Sequence, residues 1–262
     1  MTIKSLLLAA GKGERLKPFT NIWPKCLMPI SGEPLLSIWI NILQKNHIDN
    51  ILVNTSYLKE ETETFLQRPV YINNIRASYE KNLLGTAGTV KANYNFLKNN
   101  TILLIHADNL CITDFSAFID SHLKRPKKCL ITMMTFRTNV PESCGIVETD
   151  NNNIVTKFYE KVRNPPSNKA NAAVYLIEPE VIEWIKKENG ICDFSKDVIP
   201  QFLNRIYCWH NNENHIDIGT PEDYKKAQKV IIPSKYIGLT DGWMKWFKNH
   251  PIHNLINEYY KI

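Results

Sequence analysis

Near its start the chain places Leu6, Leu7, Leu8, Ala9 and Ala10 in one apolar run and breaks it at Gly11. So short a run is characteristic of a strand covered on both faces, the kind that parallel sheets contain. The turn after it should therefore emerge at the carboxyl edge of such a sheet, where α/β proteins bind their ligands. That turn is rich in charge: the chain reads GKGERLKPFTNIWPK from Gly11, with Lys12, Arg15, Lys17 and Lys25 among its side chains.

The rest of the first half repeats the same grammar. Leu35, Ile38, Trp39, Ile42 and Leu43 fall at helical spacing behind Pro34, and ILVNTS reads as the next strand. TAGTVKANYNFLK reads as a helix, TILLIHAD as a buried strand and FSAFIDSHLKR as a helix. Strands alternating with helices predict a mostly parallel sheet covered by helices on both faces. After it come ITMMTFR, GIVETD and IVTKFYEK, with Asp150 and Asn151–Asn153 as a turn between the last two, so an antiparallel excursion is expected. NAAVYLI, the helix PEVIEWIKKE, the strand RIYCWH and the helix PEDYKKAQKVI complete a single α/β domain over residues 1–232. Its length suffices for one full core.

The formal charge is +6, but the basic residues are interspersed with 26 acidic ones, which suits a small anionic substrate better than nucleic acid. No apolar run approaches the length of a membrane span and MTIKS lacks the three-part pattern of a secretory leader, so a cytoplasmic protein is expected. Cys26, Cys111, Cys129, Cys144, Cys192 and Cys208 have no ligand-like spacing and read as reduced thiols.

Two familiar phosphate loops fail on residues 11–16. A dinucleotide fingerprint needs a small residue where Leu16 stands and an acid where Asn54 and Thr55 stand, and a Walker A loop needs a spacing that the chain lacks. What remains is a glycine loop whose amides can approach phosphate oxygens, followed by a forked cation, Arg15, and a compact one, Lys25. Pro18, Pro24 and Pro29 stiffen it, as a polyphosphate site requires.

The stretch resembles the signature of the sugar-1-phosphate nucleotidyltransferases, G-x-G-x-R-[LM]-x-P-x-T followed by P-K-x-[LM], at Gly11, Gly13, Arg15, Leu16, Pro18, Thr20, Pro24, Lys25 and Leu27. LGTAG at 84–88, HAD at 106–108, CGIV at 144–147, FYEK at 158–161, NAAVY at 171–175 and DIGTPEDY at 217–224 follow in the family's order. LLGTAG looks like the guanylyl-transferring branch, which includes mannose- and heptose-1-phosphate enzymes, so the reading leans to GTP, with UTP, CTP and dTTP left open. The resemblance implies a Rossmann-like fold and a Mg²⁺-assisted attack of a sugar 1-phosphate on the α-phosphate of a nucleoside triphosphate, releasing pyrophosphate. Such an enzyme needs no nucleic acid and no membrane, and a homo-oligomer is compatible with it. The nucleophile's second phosphate pKa is near 6, so no general base is required, and positioning and charge neutralisation must carry the reaction.

By the same resemblance, Leu8, Ala10, Gly11, Gly13, Arg15, Lys25, Glu80, Gly85, Thr86 and Asp108 bind the nucleotide. Gly145, Glu160, Lys161 and Asn171 bind the sugar phosphate, Asp108 and Asp217 hold the metal, and Arg15, Lys25 and Lys161 are catalytic. Plainer readings stand beside these: Asp108 as a cap for the next helix, Asp217 as the cap of a helix at 221–231, Thr86 as the cap of the TAG helix, and Glu160–Lys161 as solvated strand-end charge. Ala107 stands where the family more often has glycine, and His106 before it reads as a packed strand residue. A catalytically silent relative that binds a nucleotide-sugar is the alternative, against which the joint retention of Arg15, Lys25, Asp108, Lys161 and Asp217 argues. Residues 233–262 match no motif; their Trp, Phe and Tyr side chains are expected to pack on the domain or on a partner subunit.

Overall fold

The computed structural model describes residues 2–238 and 240–261. The strands are β1 (Ile3–Leu8), β2 (Pro29–Ile30), β3 (Glu33–Pro34), β4 (Ile51–Thr55), β5 (Ile75–Tyr79), β6 (Thr101–His106), β7 (Asn109–Ile112), β8 (Ile131–Arg137), β9 (Gly145–Thr149), β10 (Val155–Glu160), β11 (Lys169–Ile177), β12 (Ile206–His210) and β13 (Asn214–Asp217). The helices are α1 (Leu35–Lys45), α2 (Lys59–Leu66), α3 (Thr86–Ala92), α4 (Tyr94–Leu97), α5 (Phe115–Lys124), α6 (Pro179–Lys187), α7 (Pro221–Ala227), α8 (Gly242–Phe247) and α9 (Pro251–Tyr260). The chain packs as two compact units: the stretch up to Leu6 with Leu84–Ile105 and Thr113–His215, and Leu7–Leu83 with His106–Ile112 and the chain from Ile216 onward.

The first unit carries the strand order β10-β9-β11-β6-β1, with β8 pairing both β11 and β12. Ile102–Ile105 of β6 are fully buried, as a strand covered on both faces requires. The antiparallel excursion centres on β11, which runs antiparallel to β6 from Val174↔Ile105 to Ile177↔Ile102 and antiparallel to β8, while β12 runs parallel to β8. Between Asn171 and Tyr175 the β11–β8 register slips. There Ala173 adopts φ 54° and its amide donates to Asn171 Oδ1 at 3.0 Å, so Asn171 sits at a bulge. The β9–β10 hairpin turns at Asp150, whose Oδ1 accepts from the amides of Asn152 and Ile154 at 2.9 Å each. The TAGTVKANYNFLK segment is two helices rather than one, broken at Asn93, whose side-chain amide donates to Thr89 O at 2.9 Å.

In the second unit the order is β1-β4-β5, and β4 and β5 run parallel from Ile51↔Ile75 to Thr55↔Tyr79. Helix α1 buries Leu35, Leu36, Ile38, Trp39, Ile40, Ile42 and Leu43, more than one stripe. The reason is the chain beyond Pro233: Asn41 Nδ2 donates to Tyr236 O at 3.0 Å, so the face that a one-sided helix would leave wet is covered too. Helix α7 ends at Ala227, four residues before the expected end, and the side chain of Gln228, which follows it, donates from Nε2 to Pro29 O at 2.6 Å. The molecule is α/β with a mixed sheet. Among the described residues no helix is long and apolar enough to cross a membrane, and all six cysteines are free.

Candidate active site

The loop leaving β1 is built from three successive single-turn helices, Glu14–Leu16, Phe19–Asn21 and Lys25–Leu27. Gly13 opens the first with φ 64°, and a Cβ there would sit 2.7 Å from Thr20 Cγ2, so glycine is demanded by the loop itself. Thr20 Oγ1 closes the loop by donating to Gly13 O at 2.8 Å. Gly11 meets no such demand: a Cβ there would touch no protein atom beyond its chain neighbours. Leu8 and Ala10 carry the strand into this turn. The amide of Ala9 between them donates to Asn54 Oδ1 at 2.6 Å.

Lys25 is buried, only 6% of its side chain being exposed, and its ammonium is shared by two carboxylates. Nζ donates to Asp108 Oδ2 at 2.8 Å and to Asp217 Oδ1 at 2.9 Å. Burial alone would lower the lysine's pKa and raise that of Asp108. The opposed charges outweigh it, so Lys25 is held above its ordinary value and Asp108 below. Arg15 Nη2 lies 3.5 Å from Asp217 Oδ2, at the exposed side of the cluster. Gly219 makes this approach possible, since a Cβ there would lie 2.7 Å from Arg15 Nη2 and 3.0 Å from both Asp217 carboxylate oxygens. Neither aspartate caps a helix: Asp114 caps α5 and Thr220 caps α7.

Two carboxylates that converge on one cation are a hard-oxygen donor pair, and the ammonium occupies the centre they define. Among the described residues no group of three or more His, Cys, Asp or Glu gathers to enclose a metal. Two carboxylate oxygens are the donor type suited to an ion that keeps most of its shell from water and phosphate oxygens, as Mg²⁺ does. In the same unit Glu80 is buried and its Oε1 accepts from Asn54 Nδ2 at 3.0 Å. Asn54 thus ties the β1 turn to Glu80.

The remaining predicted residues lie in the first unit. Gly85 precedes α3 with φ 77°, and Thr86 is its first helical residue. Thr86 does not cap the helix: its hydroxyl accepts the Phe194 amide at 2.6 Å. Glu160 ends β10 and Lys161 follows it. Lys161 takes φ 52°, its amide donates to Cys144 O at 3.1 Å, and its Nζ stands 3.7 Å from Glu160 Oε1. Burial raises the Glu160 pKa against the pull of Lys161. Gly145 faces the same carboxylate, since a Cβ there would lie 2.8 Å from Glu160 Oε2. Asn171 Nδ2 donates to the Tyr175 hydroxyl.

Sequence reasoning overlooked three contributors. Asn54 entered only as a non-acidic residue where a dinucleotide fold needs an acid, and Gly219 only as a neighbour of Asp217. The 192–197 segment carried no signal at all. A polar side chain inside an otherwise apolar strand, ILVNT, was the available clue to Asn54.

Over residues 4–233 the sequence matches the family described as nucleotidyl transferase. It is 29% identical over 247 residues to the UTP–glucose-1-phosphate uridylyltransferase of Synechocystis sp., covering 88% of this chain and 63% of that protein. It is 28% identical over 231 residues to the D-glycero-alpha-D-manno-heptose 1-phosphate guanylyltransferase of Aneurinibacillus thermoaerophilus, covering 87% and 98%. The chain thus spans less than two thirds of the first relative and nearly all of the second. A crystallised Bacillus anthracis protein, provisionally described as a glucose-1-phosphate thymidylyltransferase in complex with sucrose, shares the fold at TM-score 0.80 and 20% identity, over 90% of this chain and 99% of that one. A match that runs from Lys4 to Pro233, through the signature loop and both aspartates, makes this chain a member of the nucleotidyl transferase family.

Proposed function

We propose that this protein condenses a nucleoside triphosphate with a sugar 1-phosphate to give a nucleotide-sugar and pyrophosphate. The observation that carries the reading is the Lys25 ammonium held by Asp108 and Asp217 beside Arg15, in the loop that follows β1. A phosphate oxygen of the sugar 1-phosphate forms the new bond to the α-phosphorus, the bond from that phosphorus to the bridging oxygen breaks, and pyrophosphate leaves. The nucleophile is already ionised at neutral pH, so no side chain need remove a proton.

Asp108 and Asp217 would hold Mg²⁺, which when bound neutralises phosphate charge. Arg15 offers a planar fork to the leaving phosphates, and Lys25 a point charge at the other end of the loop. The amides after Gly11 receive phosphate oxygens and Glu80 is assigned to the nucleotide; in the other unit Gly85 and Thr86 are assigned to the base. Lys161 takes the phosphate of the acceptor, and Glu160, Asn171 and the Gly145 backbone take its hydroxyls. LLGTAG and the nearly full-length likeness to a heptose 1-phosphate guanylyltransferase support GTP with a mannose- or heptose-type sugar.

The test is a matrix of ATP, GTP, UTP, CTP and dTTP against a panel of sugar 1-phosphates, scored by pyrophosphate release. GTP with a manno-configured acceptor is expected to be fastest. Equal or faster release with UTP and glucose 1-phosphate would overturn the substrate assignment, and no release from any pair would overturn the activity.

A further inference from the structure

We propose that Asp197 is a positioning residue for the nucleotide: it shapes a turn that clamps the Leu84–Gly88 segment from outside. This rests on the reading above, in which Gly85 and Thr86 meet the base. Asp197 Oδ2 accepts two backbone amides at once, from Cys192 at 2.8 Å and from Asp193 at 2.7 Å. Asp193 Oδ1 in turn accepts the Lys196 amide at 3.0 Å, so the turn is closed from both ends.

The turn so formed grips the base segment at successive positions. The Cys192 carbonyl accepts from the amides of Ala87 at 2.9 Å and Gly88 at 3.2 Å. These are orphan donors at the start of α3, and Gly85, the residue before the helix, has no side chain to satisfy them. Two residues on, the Phe194 amide donates to Thr86 Oγ1 at 2.6 Å. The Cys192 thiol donates to Leu84 O at 3.3 Å. The two segments interlock so closely that a Cβ on residue 85 would lie 2.4 Å from Cys192 Sγ and 2.5 Å from its carbonyl oxygen.

The same turn reaches the neighbours of the acceptor-side residues. Phe194 is fully buried with its ring 4.9 Å from that of Tyr175, whose hydroxyl accepts from Asn171 Nδ2. Asp193 and Lys196 act electrostatically on Glu160. Asp197 itself bonds to backbone amides of the turn, so its influence on substrate is indirect.

Asp197→Ala and Asp197→Asn, with the wild type, separate the outcomes. In Asp197→Ala, hydrogen exchange at Ala87, Gly88 and Phe194 should quicken while β11 stays protected. KM for the nucleotide should rise about tenfold, the scale of two lost charge-assisted hydrogen bonds on a partly exposed group, with kcat changed much less. Asp197→Asn keeps an acceptor oxygen and should recover most of both effects. Unchanged protection at Ala87 and Gly88, or lost protection with an unchanged KM, overturns the proposal. A wild type that uses no nucleotide sinks the nucleotidyltransferase reading instead, and the exchange data then still decide whether Asp197 holds the clamp.

Discussion

At the scale of single residues the most consequential feature is a buried lysine whose single charge is shared by two carboxylates. Removing it should leave Asp108 without its ammonium partner and Asp217 with only the more distant Arg15, at 3.5 Å. Breaking a buried pair costs about 3–5 kcal/mol, but water reaches these carboxylates, whose side chains are 37% and 51% exposed, so a loss of about 1–3 kcal/mol is expected for Lys25→Ala. Millimolar Mg²⁺ should then raise the melting temperature more in Lys25→Ala than in the wild type, because no ammonium competes for the site. An equal Mg²⁺ increment in both would remove the aspartates from the metal assignment. A second buried polar residue gives a pH signature. His122 Nδ1 bonds Thr132 Oγ1 at 2.7 Å and Nε2 bonds Glu178 at 2.9 Å, with Arg125 beside them on the same carboxylate. Burial, reinforced by Arg125, lowers its pKa to about 3. The unfolded chain takes up a proton near pH 6.5 and the folded one does not, so the wild type loses stability as pH falls from that value toward about 3. His122→Gln should have a shallower slope by up to one proton over this window in denaturant melts at successive pH values; parallel curves would show that His122 titrates normally.

At the scale of elements, the helix that begins at Gly242 depends on one carboxylate. Asp241 accepts the Met244 amide at 2.9 Å as its cap and pairs with Arg68 at 2.7 Å. Arg68 is buried and lies over the rings of Phe65, Tyr71 and Trp243. Asp241→Ala should therefore cost about 2–4 kcal/mol, combining a lost cap with a weakened ion pair to a buried guanidinium, whereas Asp241→Asn should keep the cap and lose less. Equal effects of the two substitutions in urea unfolding would show that the charge contributes nothing. This arrangement also marks where the sequence stopped being legible. Strands such as TILLIH and ITMMTFR announce themselves because continuous apolarity has few other solutions, and the signature loop because its glycines, prolines and cations recur at fixed spacing. Helix α2, KEETETFL, buries only Thr62, Phe65 and Leu66, and β5, IRASY, is largely exposed, so neither shows a clean period. Helices α8 and α9 are short and draw their order from distant partners. Trp23 and Phe19 could not be paired with them by periodicity alone. The sharing of Lys25 between Asp108 and Asp217 is likewise a tertiary fact: the resemblance pairs the two aspartates, but no local pattern tells that a lysine from the loop stands between them.

At the scale of the whole chain, the segment 240–261 bears on the phosphate loop through its hidden side. Trp23, two residues before Lys25 and fully buried, stacks on Phe247 at 5.6 Å and meets His250 at 4.2 Å. Phe19, also fully buried, packs edge-on against Tyr259 at 5.0 Å, and the Tyr260 hydroxyl donates to Pro221 O. The side of the loop that carries Trp23 and Phe19 is thus lined by α8 and α9, and the rigidity expected of Pro18, Pro24 and Pro29 is completed by aromatic packing. Each apolar side chain that such packing buries is worth roughly 1.5–3 kcal/mol, and Met244, Phe247, Ile252 and Ile256 are all buried. Deleting residues 240–262 should remove several kcal/mol from a stability that for most domains is about 5–15 kcal/mol, lowering the melting temperature by roughly 10 °C or more. Turnover should fall with it even at temperatures where the truncated chain is folded, because the loop bearing Arg15 and Lys25 loses its support. If the truncated chain is insoluble, Phe247→Ala should show the same coupling on a smaller scale, at about 3–5 kcal/mol. A truncated chain with wild-type melting temperature, and wild-type pyrophosphate release from the substrate pair that the wild type prefers, would show that the phosphate loop holds its shape alone and that the tail serves some purpose other than supporting it.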